Sequence, residues 1–233
     1  MTDELLQEID PERLGSNLSR IRQELEENRY GEEPAPRILA VTKSVGPRVI
    51  NALQALGVTD IGENRVQVAL PKLPLLEPGF RLHWIGRMQC NKVRQAVENG
   101  VMIESLDRME LAREIHRRAE EKGIVMPVLL QVNAAGETQK GGMAPGEVLP
   151  FLRQMKDLSG LRVKGLMSIM PLEATPEELT LLFREVRKLF DCLRQEACAH
   201  ADMEVLSMGM SNDYLLAARE GATQVRIGRA LYR

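Results

Sequence analysis

The sequence predicts a single closed (β/α)8 (TIM) barrel with an additional N-terminal helix, an α/β protein of one domain over residues 1–233. Three observations lead there. Eight short apolar runs alternate with amphipathic segments along the chain. The runs are bounded by Gly, Pro or Asn and are too short for helices, as buried parallel strands are. Strand–helix alternation implies right-handed crossovers, and this number of units in about 200 residues suits a closed barrel. The competing class is a doubly wound open sheet, which would place a glycine-rich turn after the first strand. Val41-Thr42-Lys43-Ser44-Val45-Gly46 is no GxGxxG.

The elements follow in order. A helical stretch covers about Glu4 to Asn28, within an N-terminal helix assigned to about residues 1–30, and Gly31–Pro36 joins it to the first strand. The runs are Arg37–Lys43, Thr59–Glu63, Arg81–Gly86, Val101–Ser105, Val125–Asn133, Leu161–Ser168, Glu204–Met208 and Gln224–Gly228. Between the fourth and fifth, Asp107–Lys122 carries Met109, Leu111, Ala112, Ile115 and Ala119 at helical spacing and stops at Gly123. Thr175–Ala199 opens with Thr175 as an N-cap and with Glu177 and Glu178 in its first turn. Its Leu179, Leu182, Val186, Leu189 and Leu193 read as core packing rather than as a ligand box.

Composition excludes several functions. A net charge of −2 argues against a general nucleic-acid surface, which needs a basic field. No apolar run approaches the roughly 18–20 residues of a membrane span. The acidic start Met1-Thr2-Asp3-Glu4 lacks the cationic and apolar regions of a signal peptide, so a cytoplasmic location is expected. Cys90, Cys192 and Cys198 form no CxxC pair, and His83, His116 and His200 are scattered, so neither a disulfide framework nor a metal is expected.

In such barrels, chemistry sits at the C-terminal strand ends. Lys43 closes the first run. It is either a solvated loop lysine or a residue held in the barrel mouth, where desolvation would free its amine to attack a carbonyl. Asn64, after the second run, could orient a ligand or simply cap the next helix. His83 lies within the third run, where a lone histidine is more often a bonded core residue than a catalyst. The loop from Gly136 to Gly142 reads as flexible. The stronger pattern is Ser207-Met208-Gly209-Met210-Ser211-Asn212-Asp213 after the seventh run and Arg226-Ile227-Gly228-Arg229 after the eighth. Loops at those two ends commonly bind phosphate through backbone N–H groups, with Gly209 and Gly228 permitting close approach and Ser211 adding a donor. Together with Lys43 they suit a phosphorylated carbonyl compound.

The residues that complete the pattern are Val41-Thr42-Lys43, Gly62 to Gln67 (GENRVQ), His83-Trp84-Ile85-Gly86 with Gln89, Asn91 and Lys92, and Gln131-Val132-Asn133. They continue through Lys140-Gly141-Gly142, Gly165 to Ser168 (GLMS), Met208 to Ser211 (MGMS) and Arg226-Ile227-Gly228. On these segments the chain resembles the pyridoxal phosphate homeostasis proteins, single-domain relatives of the alanine racemase N-terminal barrel. The resemblance implies pyridoxal 5′-phosphate (PLP) bound covalently as a Schiff base on Lys43. It implies a phosphate held by Ser211 and the backbone at Gly228 and Arg229, and a pyridine nitrogen facing Arg226. Asn64 would lie near the ring, with His83 and Met167 lining the pocket. One departure is visible: the family commonly has Thr or Ser where this chain has Arg229, whose guanidinium could reach phosphate or point to solvent.

The resemblance further implies a non-enzymatic PLP carrier in vitamin B6 homeostasis, delivering PLP to dependent apoenzymes. The alternative is an amino-acid (alanine) racemase. That reaction needs a second base opposite the lysine, supplied in alanine racemases as a tyrosine from a second domain. Here the candidate tyrosines are Tyr30, Tyr214 and Tyr232, none in a second domain, and a monomer is expected. A Schiff-base aldolase acting on a sugar phosphate is a third reading, which the motifs disfavour.

Overall fold

The computed structural model describes residues 10–137, 141–196 and 198–233. Among them, the parallel strands close into a barrel in sequence order. The first helix, α1 (Pro11–Glu27), is capped by Asp10, whose carboxylate accepts the N–H of Glu12 at 3.0 Å. The expected start at Glu4 lies outside the described residues. There follow β1 (Arg37–Val41), α2 (Pro47–Ala55), β2 (Asp60–Glu63), α3 (Val66–Ala69), β3 (Arg81–Trp84) and α4 (Val93–Glu98). The middle of the chain forms β4 (Met102–Leu106), α5 (Met109–Lys122), β5 (Met126–Val132), α6 (Pro145–Gln154) and β6 (Leu161–Ser168). The last part forms α7 (Pro176–Gln195), β7 (Ala201–Met210), α8 (Tyr214–Arg219), β8 (Gln224–Ile227) and α9 (Arg229–Tyr232). Closure is made by β8 on β1, in a register that runs from Arg37 opposite Gln224 to Ala40 opposite Ile227.

Boundaries moved where local chemistry decided them. α5 begins at Met109 with Arg108 in the cap position, and ends where Gly123 adopts a left-handed φ of 67°. α7 has the expected Thr175 cap, as a capping box with Glu178, but stops at Gln195 instead of Ala199. The chain must turn early there because β7 begins at Ala201, paired to Val163 of β6, not at Glu204.

Period-two alternation sorts the strand residues into two cores. In β8, Val225 and Ile227 face the helices and join the large outer core, together with Ile61, Ile103, Leu130 and Leu166. The barrel interior holds a small apolar cluster of Leu129, Met167 and Val205. Glu104, Ser207, Gln224 and Arg226 are also buried. On the outside, α1 buries Leu14, Leu18, Ile21 and Leu25. Its Asn17 amide donates to the carbonyls of Leu231 and Arg233 at 3.0 and 2.8 Å.

Candidate functional site

The C-terminal rim gathers most of the singled-out residues. Lys43 stands in the turn two residues beyond Val41, on the strand phase of Leu39 and Val41. It is exposed and has no hydrogen bond or ion pair among the described residues. Of the two readings left open by the sequence, the exposed one fits: β1 ends at Val41, and the lysine side chain stands in the turn on the rim. Its backbone is nonetheless fixed. Thr42 Oγ1 donates to Glu63 Oε1 at 2.8 Å, while Lys72 Nζ donates to both Thr42 O and Glu63 Oε1 at 2.8 Å. Lys72 and Glu63 were not anticipated in this role. Lys72 lies in a stretch without periodicity, and only the fold brings it under the turn.

The last two loops meet at the end of β1. Ser211 Oγ accepts the backbone N–H of Gly228 at 3.3 Å and of Ala230 at 3.2 Å. Arg229 is exposed and donates to Asn212 Oδ1 at 3.3 Å, a second link between the loops. A Cβ on Gly228 would stand 3.4 Å from Val41 Cβ, so this loop abuts the end of β1. Gly209 has a different task from the expected one. Its φ is 89°, and a Cβ there would lie 2.5 Å from Ala217 Cβ, so the glycine lets α8 pack against β7 rather than admitting an anion.

Asn64 follows β2, half-buried, with its side chain making no hydrogen bond among the described residues. It does not cap α3, whose cap position is Arg65 without a side-chain bond. Gly86 packs on its backbone: a Cβ there would fall 2.5 Å from Asn64 O. Met167 is fully buried inside the barrel, in register between Gln131 and Ser207. In the loop after β5, Gln131 Nε2 donates to Gly141 O at 2.9 Å and Asn133 Nδ2 to Glu137 O at 2.8 Å. Lys140 lies outside the described residues.

The structure does not bring His83 to this rim. Its ring nitrogens face two carboxylates, Nδ1 to Glu104 Oε1 at 2.7 Å and Nε2 to Asp60 Oδ1 at 3.1 Å. It lines a cavity of about 590 Å³ at the opposite, N-terminal end of the barrel, together with Arg37, Asp60, Arg81, Lys164 and Glu204. Arg81 pairs there with Asp60, and Lys164 with Glu204, so most of that charge is internally neutralised. Burial alone would lower the His83 pKa, but the hydrogen bonds and charges of Asp60 and Glu104 outweigh it and raise it to about 9.

Beneath the rim lies Arg226, 3% exposed. It donates from NH1 to Ser207 O at 2.7 Å and Ser207 Oγ at 2.8 Å, and from NH2 to Ser168 O at 2.6 Å. Its Nε–H meets no acceptor among the described residues. Burial pushes the guanidinium pKa down, opposed by the charges of Glu104 and Asp213. The arrangement offers an unpaired amine, a hydroxyl and backbone N–H groups at one sector, and a guanidinium with a donor to spare below them.

The barrel and its rim belong to a recognisable class. The alanine racemase N-terminal domain family model matches residues 9–233. The alanine racemase of Bartonella henselae shares that fold at a TM-score of 0.73 and 13% identity, this chain covering 59% of it. Much nearer is the pyridoxal phosphate homeostasis protein of Aquifex aeolicus, 41% identical over 222 residues, or 95% of this chain and 96% of the relative. PipY of Synechococcus elongatus PCC7942, in a structure with PLP bound, is 34% identical at a TM-score of 0.84, covering 94% of this chain and all of that one. The chain belongs to the pyridoxal phosphate homeostasis protein family.

Proposed function

We propose that this chain is a non-enzymatic PLP-binding protein of intracellular PLP homeostasis, one domain over residues 1–233. Lys43 Nζ holds the cofactor covalently. Ser211 and the N–H groups of Gly228 and Arg229 take its phosphate, Arg226 faces its pyridine nitrogen, and Asn64 and Met167 flank the ring. The carrying observation is that the Gly228 loop, joined to Ser211, abuts Val41 two residues before Lys43, with Arg226 buried on the strand that leads into Gly228, in a chain similar to PLP-bound PipY. The donor set fits PLP: an unpaired amine for the aldehyde, a guanidinium Nε–H for a ring nitrogen, and for a phosphate the Ser211 hydroxyl and the Gly228 N–H, which exchanges its long 3.3 Å bond to Ser211 Oγ for a phosphate oxygen. Bound PLP supplies an electron sink, weakened here because arginine does not give up a proton to the ring nitrogen.

The tyrosines support a carrier over a racemase. A general base needs a pKa lowered toward neutrality. Burial instead raises Tyr214 to about 12, with its hydroxyl on Glu24, and pushes Tyr232 up as well. Tyr30 lies beneath the Arg187 guanidinium, 4.6 Å from its ring centre. A cytoplasmic monomer delivering PLP to apoenzymes fits the three free cysteines. Among the described residues, no helix is long and apolar enough to cross a membrane. The test is to add PLP and follow visible absorption, with alanine racemisation assayed in parallel. A band that Lys43→Ala removes, without enzyme-like turnover, is expected. Rapid interconversion of alanine enantiomers would replace the carrier reading with the racemase one.

A further inference from the structure

The barrel interior carries a column of charged groups that the PLP reading leaves unused. From the N-terminal mouth upward, Arg81 is bidentate on Asp60 at 2.6 Å, and Asp60 faces His83 Nε2. His83 Nδ1 faces Glu104, and Glu104 Oε2 accepts the Ser207 hydroxyl at 2.7 Å. Ser207 Oγ in turn accepts Arg226 NH1. The signs alternate, from Arg81 through Asp60, His83 and Glu104 to Arg226. Glu104 and Arg226 are fully or almost fully buried, at 0% and 3% exposure.

Such groups are costly to bury singly, so each depends on its neighbour. Glu104 is the pivot. It accepts from three elements at 2.7 Å: His83 Nδ1, Ser207 Oγ and Gln224 Nε2. Ser207 Oγ is then fully used, donating to Glu104 and accepting from Arg226 at 2.8 Å and Gln224 at 3.1 Å. Only an acceptor on both oxygens satisfies that pattern. An amide at position 104 sets its NH2 against a donor in either orientation: facing Ser207 it turns the hydroxyl away and leaves Arg226 NH1 only the Ser207 carbonyl, and facing the other side it opposes His83 Nδ1–H and the Gln224 amide.

We infer that Glu104, backed by His83 and Asp60, is a positioning residue for Arg226, fixing the guanidinium at the pyridine end of the site. The inference rests on the PLP reading for what Arg226 faces, and on the column alone for how Arg226 is held. The groups around His83 are Asp60 on β2 and Glu104 on β4, with Arg81 joined through Asp60. Arg37, Lys164 and Glu204 line the cavity below.

Two measurements test it. The first is a double-mutant cycle on PLP affinity with Glu104→Gln and Arg226→Lys. Glu104→Gln alone weakens binding by about tenfold or more, and by less than about twofold when Arg226 is already Lys, since the effect passes through Arg226. Equal losses in both backgrounds would overturn the inference, as would no loss at all. The second needs no Glu104 variant and no PLP. Nitrogen-15 NMR of the ligand-free chain at pH 7, with the His83 signal assigned by His83→Gln, should show both ring nitrogens protonated. A neutral His83 imidazole breaks the alternation and overturns it too, whether or not the Glu104 variant folds. Should the wild-type chain take up no PLP, the functional reading fails, while the NMR result still decides the column.

Discussion

Lys43 is an exposed amine whose position is set by its backbone and not by burial. The Lys72–Glu63–Thr42 clamp fixes the turn, leaving the Nζ free to meet a ligand. The place of Lys43 at the end of the first apolar run was legible in the sequence while its exposure was not, and the glycine- and serine-bearing ends of the last two strands suggested a phosphate partner. His83 was legible as a bonded core residue, as its position within a strand suggested, but its partners were not, and the pocket-lining role implied by the resemblance does not fit its place at the N-terminal end. Its partners lie 21 and 23 residues away on other strands, and only barrel closure joins them. Glu104 did leave a signal, a carboxylate in the middle of the fourth apolar run, which marks a buried charge needing partners. The raised His83 pKa has a stability consequence. Folding favours the protonated ring, so its contribution is complete below the unfolded pKa of about 6.5 and is lost as pH rises through about 9. Thermal melts should show the melting temperature falling between pH 7 and 9.5, with His83→Gln flattening that slope. An unchanged slope in the variant would remove His83 from the explanation.

At the level of elements, strand and helix identities were readable from periodicity, while ends were set by chemistry the periodicity does not carry. β7 runs to Met210, so Ser211 and Asn212 form the turn into α8, and the approach of that helix depends on Gly209. Gly209→Ala combines a left-handed φ with a contact on Ala217, so α8 must shift and carry Ser211 with it. The expected result is a loss of about 1–3 kcal/mol in urea unfolding and roughly tenfold weaker PLP binding, with attachment through Lys43 retained. Unaltered affinity would show that Ser211 does not depend on this packing. On the far side, α1 is held by an apolar stripe. Ile21→Ala, at a fully buried position, should cost about 2–5 kcal/mol in the same measurement. A cost near zero would mean that α1 is only loosely docked on the barrel.

For the molecule as a whole, closure separates two ends of different character. The C-terminal rim carries the exposed, unpaired Lys43 amine and the Ser211–Gly228 loops, whereas charges at the N-terminal mouth are largely paired with one another. A buried column joins them, ending on Arg226. In the reading proposed above, its guanidinium faces the cofactor's ring nitrogen and keeps the electron demand low, and Tyr214 and Tyr232 have raised pKa values that do not suit a second base. The most direct check is the visible absorption of purified protein mixed with PLP, compared with Lys43→Ala. A band that forms in the wild-type chain and is absent from the variant is predicted. A wild-type chain that stays colourless after reconstitution, or a variant that keeps the band, would contradict the assignment of Lys43 as the PLP tether.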